Sequence, residues 1–300
     1  MKWLDSCGFV KSGRLTPYFF MAPALLILGS LMIFPILQVI EYSFYDNVIV
    51  TSDSTFVGFD NYKELAFDPI FWTSIFNTII FTVGSVVGHL VVGIFLALLI
   101  NSPIHPVPRA IFRTLLVLPW LFTAVVVALN WQLLLHPFGI INYALKDFGI
   151  IDSHVDWLGD ESVAMATLLV ISIWRGYPFL MISFLSGLQS IDKSMYEAAK
   201  IDGAGWFRIF FSITIPQLKP IIYGVALLDL IWTFQLFPLV WLTTGGGPGR
   251  ATEVLSTYTY RFAFVDFEFS KASTVAVILL TFTAVLTILY LRKGKGKSEI

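Results

Sequence analysis

Charge is scarce in this chain. Asp, Glu, Lys and Arg make up 13% of its 300 residues, against about 25% in an average soluble domain, which argues against a globular cytosolic enzyme. Cysteine is scarcer still: Cys7 stands alone, so no internal disulfide can form and no cysteine-based metal site is indicated. Histidine is limited to His89, His105, His136 and His154, scattered without H-E-x-x-H spacing or any pairing at helical spacing, so no metal ligands are assigned. No G-x-S-x-G elbow is present. The nearest approach to a phosphate-binding loop is Gly296-Lys297-Ser298, but Leu291 stands where its first glycine belongs, and no strand–helix frame surrounds it. The glycines at 245–249 lack that frame too and read as a loop turn. No catalytic residue is assigned.

What is abundant is apolar sequence, 57% of the chain. A hydrocarbon layer of ~30 Å takes about 20 apolar residues as helix. Six windows qualify, at 18–40, 76–100, 114–135, 162–188, 220–242 and 272–291. Four hold no Asp, Glu, Lys or Arg, while the fourth contains Arg175 and the fifth Asp229. The expectation is an all-α polytopic membrane protein with six transmembrane helices. The first window exceeds the ~7–15 residues of a signal-peptide core, is punctuated by Pro23 and Pro35 and is followed by no small-x-small cleavage site; it reads as a retained helix.

Basic residues orient the chain. With a cytoplasmic N-terminus, one set of loops holds Lys2, Lys11, Arg14, Arg109, Arg113, Lys193, Lys200, Arg208, Lys219, Arg292, Lys293, Lys295 and Lys297, thirteen of the nineteen Lys and Arg. The opposite loops hold Lys63, Lys146, Arg250, Arg261 and Lys271. By the positive-inside bias both termini are expected in the cytoplasm. The first outer loop is acidic, with Glu41, Asp46, Asp53, Asp60, Glu64 and Asp68.

This topology puts a polar stretch, 197-EAAKIDGAGWFRIFFSITIP-216, in the cytoplasmic loop at 189–219. Ser194-Met195-Tyr196-Glu197 has the form of a capping box and predicts a helix start. Gly203 falls where a left-handed C-cap is wanted. Residues 206–215 are apolar enough to lie along the membrane surface, and Pro216 and Pro220 are expected to rule out an unbroken helix through the junction. A short helix presented on a turn suits docking into a groove of a soluble partner; a solvated connector is the other reading.

The residues themselves carry a resemblance. Glu197-Ala198-Ala199, three residues, Gly203, nine residues and Ile213-x-Ile215-Pro216 closely resemble the EAA signature of ABC-importer permeases, with Ile215 where leucine is usual. Phe184-Leu185, Gly187-Leu188-Gln189-Ser190-Ile191, Tyr196-Glu197 and Ile201-Asp202-Gly203-Ala204 look like the carbohydrate-uptake branch, related to maltose and glycerol-phosphate permeases. So do Leu242-Thr243-Thr244-Gly245-Gly246-Gly247-Pro248, Ala251-Thr252 and Tyr258-x-Tyr260-x-x-Ala263-Phe264. The likeness covers roughly 58–291. It departs at Phe237-Pro238, where related sequences often carry Phe-Asp.

The resemblance implies a type I ABC importer permease fold. Its layout would be a cytoplasmic segment 1–17, a first helix with acidic outer loop 18–71, a five-helix transport core 72–291 and a basic cytoplasmic tail 292–300. It implies no cofactor in this chain, with ATP and Mg held by two partner ATPase subunits, met through Glu197, Ala198, Ala199, Asp202, Gly203 and Pro216. It also implies a second, paralogous permease, an extracytoplasmic solute-binding protein, and a bacterial or archaeal cytoplasmic membrane; no nucleic-acid partner is expected. The cargo would be a sugar, oligosaccharide or polyol, with a non-sugar such as glycerol phosphate, or a stand-alone secondary transporter, as alternatives.

Sugars are bound by aromatic stacking and polar hydrogen bonds, which makes Asn130, Gln132, Tyr177, Trp232, Gln235 and Trp241 pathway candidates. For Trp241 an interfacial belt, and for the others helix–helix contacts, are the competing readings. Arg175 lies about 20 Å and Asp229 about 18 Å from the cytoplasmic ends of their helices at 1.5 Å per residue. They are expected to interact or to line one polar cavity; alternatively, Arg175 faces an anionic or hydroxyl-rich substrate unpaired.

Overall fold

The structure, a computed structural model, describes residues 16–46, 48–49, 54–102 and 105–295. Lys2, Cys7, Lys11, Arg14, Asp53 and the Gly296-Lys297-Ser298 tail lie outside the described residues. The chain starts with α1 (Thr16–Leu28), a π-helical turn Gly29–Ile33 and α2 (Phe34–Tyr42), one continuous apolar span over Phe20–Tyr42. A small hairpin follows, β1 (Tyr45–Asp46) against β2 (Thr55–Phe56), antiparallel with Tyr45 opposite Phe56. Buried Asn61, on α3 (Asp60–Phe67), ties this corner by donating to the Ser43 and Tyr45 carbonyls at 3.1 and 3.0 Å.

The centre of the molecule is the pair α4 (Pro69–Asn101) and α8 (Ala164–Ser190). Asp68 caps α4, its carboxylate accepting from the Ile70 amide at 2.8 Å while Pro69 takes the first helical position, where a missing N–H costs nothing. Gly88 permits the close approach: a β-carbon there would lie 2.3 Å from Ile173. Small residues of this kind drive helix association where lipid offers no hydrophobic gradient. On α8, Leu168, Ile171, Leu180, Met181 and Phe184 are fully buried.

Between these two helices the third apolar window, 114–135, is not one straight helix. It divides into α5 (Pro106–Leu121) and α6 (Ala124–Leu135), bent by 98°. Phe122 is extended, and Thr123 starts the new helix, its hydroxyl accepting from the Val126 amide at 3.4 Å. A short α7 (Ile140–Asp147) follows.

After α8 come α9 (Lys193–Ile201), α10 (Trp206–Ile209), a π-helical turn Phe210–Thr214 and α11 (Ile215–Phe234). Here two expectations are corrected. Residues 206–215 are the first turns of the spanning helix, not a separate surface segment, and the helix runs unbroken through Pro216 and Pro220 as the span Trp206–Phe234. A proline lacks a donor and clashes with the carbonyl four residues back; the wider π turn just before Pro216 shifts that ladder. The same device precedes Pro35. The fifth span therefore ends at Phe234, short of the window's end at Leu242. Gln235 and Leu236 break the helix, and α12 (Phe237–Thr243) starts with Pro238 in its first turn. Last come α13 (Leu255–Phe264) and α14 (Phe269–Lys295). Among the described residues five helices are long and apolar enough to span, or six if the bent α5–α6 pair is one span.

Candidate functional site

Two places gather the residues singled out above: helix α9, and a small cavity inside the bundle where α4, α8 and α11 meet. Helix α9 is closed at both ends by its own sequence. Its N-cap is Asp192, whose carboxylate accepts from the Ser194 amide at 2.9 Å. The expected Ser194–Glu197 capping box is therefore corrected: Asp192 starts the helix two residues earlier, leaving Ser194 already inside it. Hydrogen bonds from the Ser194 backbone and hydroxyl hold the Asp192 carboxyl below its ordinary range.

At the other end the Gly203 amide donates to Lys200 O at 3.0 Å and the Ala204 amide to Ala199 O at 2.9 Å. These are the paired bonds of a Schellman cap. Gly203 has φ +74°, the left-handed conformation that an L side chain resists. No residue of α9 is buried; Glu197, Ala198 and Asp202 are exposed and Ala199 half-buried. The helix touches the spanning helix through Tyr196, whose hydroxyl lies 3.3 Å from Thr214 Oγ1, and through Gln217, which donates to Met195 Sδ at 3.9 Å. Pro216 sits in the first turn of α11, exposed. Only Gly205 separates the end of the α9 cap from a continuous helix that reaches Asp229.

The cavity, about 70 Å³, is lined by His89, Arg175, Asp229 and the rings of Trp120, Phe179 and Trp232 among others. Arg175 and Asp229 thus line one cavity, as their depths suggested, but the carboxylate's ion-pair partner is His89, not Arg175: Nδ1 to Asp229 Oδ2 is 2.8 Å. His89 Nε2 lies 2.9 Å from the Ser172 carbonyl. This joins α4, α8 and α11 at a buried point, with His89 3% and Asp229 6% exposed. Gly176 makes room, since a β-carbon there would stand 2.2 Å from His89 Nε2. Among the described residues no carboxylate pairs with Arg175, and its Nε is buried without a partner. Trp120, Phe179 and Trp232 form a row with centroids 5.9 and 5.3 Å apart.

The remaining candidates lie elsewhere. Tyr177 is buried in the apolar cluster with Ala97 and Phe184. Gln132 donates to Thr243 O at 2.9 Å and lines a wider cavity of about 540 Å³ with His136 and Asp156. Asn130 donates to Val126 O of its own helix at 2.8 Å. Gln235, at the break after α11, donates to Thr283 Oγ1 of α14 at 3.3 Å. Trp241 stacks on Phe237 and meets the Tyr260 ring at a tilt, with the Arg261 guanidinium 5.8 Å from its ring centre.

Sequence reasoning missed two buried groups. His89 was visible as a titratable residue in an otherwise chargeless window, a signal equal to Arg175 and Asp229. Glu253 left no such trace. It is fully buried beneath the glycine-rich loop, bonded to Arg250 Nη1 at 2.8 Å and Arg261 Nε at 3.1 Å. Asn77 of α4 donates to its carbonyl at 3.1 Å. Gly246, at φ +86°, is required here, because a β-carbon would lie 2.7 Å from the Glu253 carboxylate. Nearby, the Tyr258 hydroxyl donates to Asp68, and burial with that carboxylate pushes the phenol far above its usual range.

Comparisons with known proteins agree with this architecture. The family model described as binding-protein-dependent transport system inner membrane component matches residues 89–293. The sulfoquinovosyl glycerol transport system permease protein SmoG of Agrobacterium fabrum is 34% identical, over 86% of this chain and 81% of that protein. The trehalose/maltose transport system permease protein MalF of Thermococcus litoralis is 32% identical, over 80% of each. Among solved structures, a bacterial ABC transporter involved in import of the acidic polysaccharide alginate superposes with TM-score 0.82 at 22% identity, covering 97% of this chain and 99% of that one.

Proposed function

The chain belongs to the family of binding-protein-dependent transport system inner membrane components, and from that premise we propose that it is the permease subunit of an ATP-driven importer for a sugar, oligosaccharide or related polyol. The named relatives SmoG and MalF support a carbohydrate cargo. One observation carries the mechanism. Helix α9 buries none of its residues within the chain, is capped at both ends, and connects through Gly205 to a span that reaches the central cavity. A helix so presented is a docking element. Glu197, Ala198, Ala199 and Asp202 face an ATPase subunit that supplies ATP and Mg, and Gly203 holds the docking angle. Pro216, behind its π turn, keeps the rigid connection that transmits the movement of α9 to Asp229.

The assembly is completed by a second permease, two ATPase subunits and an extracytoplasmic solute-binding protein, in a cytoplasmic membrane with α9 and both termini inside. The layout is the sequence-derived one: a helix and acidic loop over 18–71 precede the transport core at 72–291. This chain contributes half of a pathway that the second permease completes. Reconstitution of the four-subunit complex in liposomes with its binding protein tests the proposal. ATP-dependent uptake is expected, and Glu197→Ala with Gly203→Val should abolish it while the permease still assembles in the membrane. Normal uptake by that double variant would overturn the coupling role of α9.

A further inference from the structure

Hydrogen-bond geometry determines the charge inside the cavity. The Ser172 carbonyl can only accept, so His89 Nε2, 2.9 Å away, carries a hydrogen and donates. The 2.8 Å contact between Nδ1 and Asp229 Oδ2 then needs one proton, on the imidazole or on the carboxyl. In either arrangement the pair is neutral as a unit: imidazolium with carboxylate, or imidazole with carboxylic acid. Asp229 therefore has no charge left to offset Arg175, and the cavity carries one net positive charge.

Arg175 is half-buried, its Nε is buried without a partner, and among the described residues no carboxylate reaches it. A cation at this depth is held only where it faces water, protein dipoles or an anion. Beside it the aromatic row is open on one side, Trp120 being 43% and Trp232 52% exposed. Arg175 and the rings of Trp120, Phe179 and Trp232 line one open cavity, so an anionic group at the guanidinium would sit beside the aromatic faces. The tryptophans provide the flat apolar faces on which a ring can stack.

We infer that the cargo is an anionic carbohydrate, its carboxylate, sulfonate or phosphate held by Arg175 while the sugar ring stacks on the Trp120–Phe179–Trp232 row. This rests on the carbohydrate-importer reading above. Guanidinium is suited to all three anions because its planar fork donates two parallel bonds. The His89–Asp229 pair is the positioning device, occupying the carboxylate that lines the cavity so that it cannot neutralise Arg175.

The test uses the assembled complex in nanodiscs without the binding protein, so that only the membrane site discriminates. Quenching of tryptophan fluorescence is titrated with digalacturonate, a sugar sulfonate and a sugar phosphate, each beside its neutral parent sugar. Wild type is expected to bind at least one acidic member well above its neutral parent. Arg175→Gln should lose that preference by roughly 10- to 100-fold, the range for a hydrogen bond to a charged group, and Arg175→Lys, which keeps the charge but not the fork, should keep only part of it. Equal binding of acidic and neutral sugars by wild type would overturn the inference and leave the carbohydrate reading standing. So would an assembled Arg175→Gln complex that still prefers the acid. Binding of no carbohydrate, together with no ATP-driven uptake of any in liposomes, would sink both.

Discussion

Gly203 offers the sharpest test of how α9 is held. It sits at φ +74° with no atom within 4 Å of where a β-carbon would stand. Steric crowding inside the chain is thus absent, and the whole penalty of a substitution is backbone. An L residue in the left-handed region costs about 1–2 kcal/mol, and a β-branched one more, because its branch meets its own carbonyl. That penalty opposes the two cap bonds, Gly203 N to Lys200 O and Ala204 N to Ala199 O, and would lower the population of the closed cap about 5- to 30-fold. Asn tolerates the left-handed region best among the other residues, so coupled uptake should fall in the order Gly, Asn, Ala, Val. Uptake per ATP hydrolysed, measured in liposomes with the full complex, reads this directly. Assembly should be unchanged throughout, since an added side chain meets no described atom there. Val at wild-type coupling would refute the cap as the cause. Asn as damaging as Val would show instead that Gly203 is needed for close approach of a partner.

Three further outcomes follow from the buried groups and the caps. Removing one partner of the His89–Asp229 pair, as His89→Leu or Asp229→Leu, strands a buried polar group and should cost about 3–5 kcal/mol, while the double Leu variant should recover part of it; thermal unfolding in detergent decides, and a double variant no better than either single would count against a pair. Exchanging Arg175 and Asp229 should rescue neither single charge reversal in assembly assays, because the Asp229 partner is His89; partial rescue would refute that assignment. The Asp192 carboxyl is depressed below its ordinary value, so its cap contribution is complete above the ordinary carboxylate range and disappears as pH falls through the lowered value. Hydrogen exchange in 193–201 should therefore be faster in Asp192→Ala than in wild type at neutral pH and equal in strong acid; a difference that persists in acid would rule out the ionised cap.

Much of the architecture was legible because membrane helices announce themselves by composition. A window of twenty apolar residues has nowhere stable to go except a bilayer or a deep core, so the spans at Phe20–Tyr42, Pro69–Asn101, Ala164–Ser190 and Phe269–Arg292 lie close to the windows read from sequence. The left-handed position at Gly203 was equally legible, since a glycine after a short polar helix has one common use. The two departures in helix continuity have different causes. Hydropathy registers apolar character but not direction, so it joined α5 to α6 across the 98° bend at Phe122-Thr123. Proline rules describe α ladders, so they predicted a break at Pro216 where a π turn changes the register.

What the sequence by itself determined was the class of protein, the approximate spans, the exposed polar helix with its glycine cap, and the depth of two charges. These rest on local chemistry: transfer into lipid, backbone conformation, and rise per residue. Only the tertiary structure decided who partners whom. Arg175 and Asp229 stood at matching depth in sequence, yet depth is one coordinate, and pairing also depends on rotation about each helix axis. The glycines at Gly88 and Gly176 let α4 and α8 approach so closely that His89 reaches both Ser172 and Asp229. That contact takes up the carboxylate and leaves Arg175 with no carboxylate partner among the described residues.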